Sequence, residues 1–164
     1  MKTIDNTGLI LCDLQAQAFE LSQKVLSCSS EIFIRRFMHS ETARFLDSGY
    51  SLNTVMTPRD MIERVEEQYG VTSYGSVKYS ANELFWIGYI YRYFSYAYEL
   101  SSVQAYRMVK PKELREMYPA CHTMDCAQAI ERILEAKDIS FDMSIEKQYQ
   151  VFRRIRKEHE NDRH

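Results

Sequence analysis

Cys121, His122 and Cys126 stand in the order C-H-x-x-x-C, residue types that hold zinc or carry nucleophilic chemistry. Zinc takes four protein ligands, or three and a water. The other cysteines, Cys12 and Cys28, are isolated, and no C-x-x-C pair completes a ligand set. No metal is assigned on this basis. A thiol and an imidazole work together only when their side chains converge. Adjacent Cys121 and His122 do so poorly, and Cys126 with His122 is the easier geometry. His39, in Phe37-Met38-His39-Ser40, reads as a helix-end residue rather than a base. The sequence contains no G-x-G-x-x-G, no G-x-x-x-x-G-K-[ST] and no H-E-x-x-H. Glu63, Glu66 and Glu67 read as a solvated helix face. No catalytic residue and no cofactor follow, and a non-enzymatic role is preferred.

Arginines set among aromatic residues offer a second chemistry. Arg35 and Arg36 lie inside Phe33-Ile34-Arg35-Arg36-Phe37-Met38, and Arg92 and Arg107 lie among tyrosines. Such placements suit cation–π contact or recognition of a phosphate or carboxylate. They equally suit arginines that clamp helix ends and acidic neighbours, and both readings stay open. Arg36, Tyr89, Arg92, Tyr93, Tyr96 and Arg107 are the candidates for partner or ligand contact. Arg153, Arg154, Arg156, Lys157 and Arg163 crowd the C-terminal run. Glu158, Glu160 and Asp162 interleave with them, so a nucleic-acid role is not favoured.

These side chains need a scaffold, and Leu84 to Tyr98, LFWIGYIYRYFSYAY, is its centre. Eight of its 15 residues are aromatic, and Arg92 is its only formal charge. A helix apolar on nearly every face must be enclosed by protein or by lipid. This one rises only about 22 Å, short for a membrane span, and its tyrosine hydroxyls do not suit lipid. The central helix of a bundle is expected, over about residues 81–100. Ser80-Ala81-Asn82-Glu83 is a capping box in front of it. Gly88 within it costs about 1 kcal/mol relative to alanine, which implies close approach by another helix or a ligand.

Helical periodicity recurs around that centre. Ile10, Leu14, Ala18, Leu21 and Val25 predict the inner face of a helix from Leu9 to Val25, with Gly8 just before it. Ser30 is expected to cap a second helix carrying Ile32, Phe33, Ile34, Phe37 and Met38. Ser40 restarts the turn, and Gly49 closes it. Thr57-Pro58-Arg59-Asp60 starts a helix with the inner stripe Met61, Ile62, Val65 and Tyr69, ended by Gly70. The next stretch, VTSYGSVKYS, is the longest non-helical candidate. Ser101 to Gln104 caps a short helix. Pro111 starts another, and Pro119 is expected to stop it. Asp125 caps a helix with Ala129, Ile130, Ile133 and Leu134 inward. A last helix, about Met143 to His159, turns Ile145, Tyr149, Phe152 and Ile155 inward.

The fold class expected is therefore all-α, a single compact multi-helix bundle over residues 1–164 with 160–164 as a frayed tail. A chain of 164 residues, 45% apolar, supplies a core, and five glycines and three prolines disfavour an all-β or loop-rich chain. A net charge of -2 gives no global pull towards nucleic acid or an anionic membrane. The start, MKTIDNTGLILCD, lacks the features of a signal peptide. A cytoplasmic location and free thiols are expected, with no membrane partner.

Three segments resemble a known family: Asn82-Glu83-Leu84-Phe85-Trp86-Ile87-Gly88-Tyr89-Ile90-Tyr91-Arg92-Tyr93, Lys110-Pro111-Lys112-Glu113-Leu114-Arg115, and His122-Thr123-Met124-Asp125-Cys126-Ala127-Gln128-Ala129-Ile130-Glu131-Arg132. The family is one of small uncharacterised proteins of Firmicutes, and the likeness covers about residues 30 to 136. Its members are encoded beside other short proteins, one related to ADP-ribosyltransferase toxins. Relatives read H-T-L-D-P-A-Q-A-I-E-R in the third segment. This chain has Cys126 in place of that proline, a further argument against a metal or thiol role there. No catalytic residue carries over. The resemblance implies a protein-interaction module, the neutralising or accessory component of a bacterial toxin–antitoxin-like system, with its protein partner encoded nearby. The alternative is a small nucleotide-binding protein or enzyme using a Tyr/Arg pocket beside Gly88.

Overall fold

Ser80 opens the central helix: its Oγ accepts from the Glu83 N–H at 3.2 Å, and the Glu83 carboxylate accepts from the Ser80 N–H at 3.0 Å. The computed structural model describes residues 1–49, 56–141, 152–158 and 160. Its helices are α1 (Asn6–Val25), α2 (Ser30–Met38), α3 (Glu41–Asp47), α4 (Pro58–Tyr69), α5 (Ala81–Ala97), α6 (Ser102–Met108), α7 (Pro111–Cys121) and α8 (Cys126–Ala136). A further helical segment covers 152–158, and the described residues include no strand. The expected all-α bundle is the one observed, with α5 at its centre. Leu84, Trp86, Ile87, Ile90, Tyr91 and Phe94 are buried along it. No described helix is long and apolar enough to cross a membrane.

α1 and α5 run antiparallel and make the closest pair. The Lys2 N–H donates to Ala97 O at 2.7 Å at one end. At the other, a Cβ on Gly88 would stand 2.8 Å from Phe19 Cγ and 3.0 Å from Ala16 Cα and Gln15 O. Gly88 therefore lets two backbones approach, as its place in the helix implies.

That approach corrects the expected face of α1. The residues turned inward are Gly8, Leu11, Cys12, Gln15, Ala16, Ala18, Phe19 and Ser22, whereas Ile10 and Val25 are exposed. Small side chains win the contact because dense packing between close backbones outweighs the area of a larger residue held further off. The helix also begins earlier than expected. Asp5 Oδ1 accepts from the Gly8 N–H at 2.8 Å, so Asp5 is the cap and Gly8 lies in the first turn.

Other boundaries follow the local chemistry. Ser29, rather than Ser30, caps α2. Pro119 lies inside α7 instead of ending it: the His122 N–H still donates to Tyr118 O at 3.0 Å, so the ladder resumes beyond the missing donor. Tyr69 is exposed rather than inward, lying beneath the Arg36 guanidinium. Phe152 is exposed as well, while Ile155 is buried as expected. Ile145, Tyr149 and the tail at 161–164 lie outside the described residues.

Candidate functional site

The single cation of α5 points into the protein. Arg92 is 1% exposed. Its Nε donates to Gln15 Oε1 at 2.8 Å, Nη1 to Asp47 Oδ1 at 2.6 Å and Nη2 to Ser102 Oγ at 2.8 Å. Asp47 also accepts from the Ser102 N–H at 3.0 Å and the Ser102 hydroxyl at 2.6 Å. Gln15 Nε2 in turn donates to Gly88 O at 3.0 Å. An unpaired buried cation loses several kcal/mol of hydration, and these partners offset that loss. Arg92 is thus a correction: expected as a contact residue, it joins α1, α3, α5 and α6 from within. The pocket expected beside Gly88 is corrected too, because Phe19, Ala16 and Gln15 fill that space.

The other candidates do not converge. Tyr89, Tyr93 and Tyr96 are half-buried on α5 at helical spacing, and Phe85 stacks on Tyr89 with centroids 6.4 Å apart. Burial pushes the Tyr89 phenol up to about 12 and raises that of Tyr93. The Tyr96 hydroxyl donates to Asp5 Oδ1 at 2.7 Å, which lifts its pKa to about 12. With the Lys2 ammonium 4.1 Å over its ring, Tyr96 clamps the start of α1. Arg36 lies elsewhere, its Nη1 donating to Gly70 O at 3.0 Å. Arg107 is half-buried on α6.

The sulfur and imidazole groups are built for structure. Burial pushes the Cys12 thiol to about 12 and Cys126 to about 11, so both stay protonated and weakly nucleophilic near neutrality. His122 Nδ1 lies 2.8 Å from Tyr118 O, and its ring stacks on Tyr118. His39 Nδ1 lies 2.7 Å from Arg35 O, and burial lowers its pKa. Among the described residues, no group of three or more His, Cys, Asp or Glu is placed to hold a metal ion.

The stretch after α4 has a different character. Gly70 closes the helix at φ +81°, and the chain then runs without regular structure to Ser80. Its backbone is nevertheless pinned. The Ser29 N–H donates to Tyr74 O at 2.9 Å and the Ser30 N–H to Val77 O at 3.1 Å, so loop carbonyls satisfy donors at the start of α2. Ser30 Oγ accepts from the Tyr79 N–H at 2.8 Å, and Lys78 Nζ donates to Gln23 O in the last turn of α1 and to Leu26 O at its cap. Gly75, at φ +74°, lies so close to Ser29 that a Cβ would stand 2.6 Å from its side chain. Tyr79 anchors the far end, buried with its hydroxyl donating to Glu31 at 2.9 Å and the Arg115 guanidinium 4.4 Å over its ring.

On this held backbone Val71 is 77% exposed, Tyr74 74% and Val77 54%. Three large apolar side chains thus project from one short, pinned segment. Sequence reading recognised the stretch as non-helical but missed it as a surface. The available signal was Tyr74 and two valines in an otherwise small and polar stretch. Comparison of the chain with protein-family models, curated proteins and solved structures gives no match.

Proposed function

We propose that the chain is a protein-interaction module and that residues 71–77 make its main contact with a partner. The observation that supports this is the exposure of Val71, Tyr74 and Val77 in a segment whose Tyr74 and Val77 carbonyls accept from the start of α2. A segment ordered before binding avoids most of the entropy lost when a mobile loop docks. Tyrosine is also enriched among the residues that dominate binding energy. Tyr89 and Tyr93, half-buried on α5, are secondary contacts in this reading. In its fuller form, which rests on the resemblance, the module is the neutralising or accessory component of a toxin–antitoxin-like system. It would act in the bacterial cytoplasm on a protein encoded beside it.

The test is co-expression of the tagged chain with the neighbouring gene product, followed by size-exclusion chromatography. A complex is expected for the native chain, together with its loss in Tyr74→Ser and Val71→Ser/Val77→Ser. Failure of the native pair to associate overturns the locus assignment. A complex that survives both loop variants overturns the assigned surface.

A further inference from the structure

Phe152-Arg153-Arg154-Ile155-Arg156-Lys157-Glu158 is a helical segment seated by one side chain. Ile155 is 7% exposed and joins the core, while the other six residues are exposed. At about 100° per residue, Arg153 and Lys157 project opposite Ile155, with Arg156 and Arg154 on their two flanks. The outward side is therefore a largely cationic ridge that the exposed Glu160 shares, between Arg153 and Arg156, with Glu158 off to one edge. Ion pairs among the described residues are Arg44–Glu41, Arg92–Asp47, Arg115–Glu83 and Lys137–Glu113, so none of the four ridge cations is neutralised there.

An aromatic recess adjoins the ridge. Phe152, 40% exposed, borders a hollow of about 250 Å³ with Tyr98, Phe141, Lys2 and Met1, and with the acidic Glu99 on the same lining. Tyr98 and Phe141 pack with ring centroids 4.9 Å apart at its wall. The hollow is large enough to admit one flat heterocycle beside the exposed Phe152 ring.

We infer that the ridge and recess bind single-stranded nucleic acid, with the cations on backbone phosphates and Phe152 under a base. Three of the four cations are arginines, whose forked donors match phosphate oxygens. Cations that track a backbone next to an aromatic platform are the physical pattern of sequence-tolerant single-strand binding. An acidic peptide would satisfy the ridge but would leave the recess unused.

The test is fluorescence anisotropy of the full chain with a short, labelled, mixed-sequence single strand, as RNA and as DNA. Binding is expected at low salt. It should weaken about 50-fold between about 50 and 200 mM potassium chloride if four phosphates are neutralised. Arg153→Gln/Arg156→Gln/Lys157→Gln should lower affinity about tenfold or more, and Phe152→Ala at least about fivefold. All retain Ile155, and circular dichroism checks their folding. If the glutamine variant unfolds, Arg153→Lys/Arg156→Lys keeps the charge and should keep most of the binding. Absence of binding at low salt, indifference to salt, or equal binding by the folded variants overturns the inference. Equal competition by polyglutamate assigns the ridge to an acidic protein and overturns it as well.

Discussion

The Asp47 carboxylate lies 2.6 Å from the Arg92 guanidinium and also accepts from the Ser102 hydroxyl and N–H. One acid at the end of α3 thereby holds α5 and α6 together. An acid at a helix C-terminus is opposed by the helix dipole, so the buried cation is what makes this position favourable for Asp47. The pair is best understood as a unit in which neither charge is tolerable alone.

Removing one half of the unit should therefore harm more than removing both. Asp47→Ala is expected to lower stability by about 3–5 kcal/mol, since it strands Arg92 in the interior. Arg92→Met/Asp47→Leu should lose less than that single change. Urea unfolding of the native chain and the two variants decides it, and a double variant that loses as much as Asp47→Ala or more would refute the coupling.

Gly88→Ala places a methyl group against backbone atoms of α1 that cannot step aside. A loss of about 1–3 kcal/mol is expected from overpacking, despite the better helix propensity of alanine. A thermal melt unchanged from the native chain would show that α1 and α5 sit further apart.

Acid should destabilise the fold through carboxylates held below their ordinary values. In Glu83, burial pushes the pKa up, but hydrogen bonds from Ser80 and Arg115 outweigh it; Asp5 and Asp60 are lowered chiefly by backbone donors at Gly8 and Thr57. A lowered native pKa means the unfolded chain binds more protons. The stabilisation is complete above the unfolded carboxylate range, near pH 4.5, and fades as pH falls through the folded values. Urea midpoints between pH 7 and pH 3 should fall accordingly, and Glu83→Gln should flatten the decline. An identical slope in that variant would remove Glu83 from the account.

Glu99 ends α5 at φ +54°, with the Leu100 N–H donating back to Ser95 O at 2.9 Å. This left-handed closing position is one that glycine fills without strain. Glu99→Gly is expected to raise stability by about 0.5–1 kcal/mol, the relief of a side chain in that region less the added freedom of the unfolded chain. A lower melting temperature would point to a favourable contact made by the carboxylate.

Tyr74→Ser should separate binding from folding. Its side chain is mostly exposed, so stability should move by no more than about 0.5 kcal/mol. Affinity for the neighbouring gene product should fall about 30-fold or more, the effect of losing a dominant interface residue. Calorimetric titration against that product reads the affinity, and a melt reads the stability. An unfolded variant or an unchanged affinity counts against the loop.

The starts of α4, α5 and α6 were legible because capping is a local affair. The Thr57/Asp60, Ser80/Glu83 and Ser101/Gln104 boxes each join residues three apart, and all three form. The inner face of α1 was not legible. It is chosen by Gly88, which lies 73 residues from Gln15 and is invisible to any window on α1. The interior placement of Arg92 depends on Gln15 and Asp47, 77 and 45 residues away, for the same reason. Pro119 misled because proline is a usual stop signal, whereas the hydrogen bonds on either side of it carry α7 on to Cys121.

The antiparallel pairing of α1 with α5 also imposes an order on biogenesis. Phe19 leaves the ribosome about 70 residues before the glycine it will rest on, a delay of roughly 4–14 s at ordinary rates of synthesis. Throughout that interval Phe19 lacks the Gly88 surface it packs on. Until residues 81–97 have been made, α2, whose Phe33 and Phe37 rings meet Phe19 in the folded chain, is the cover already within reach.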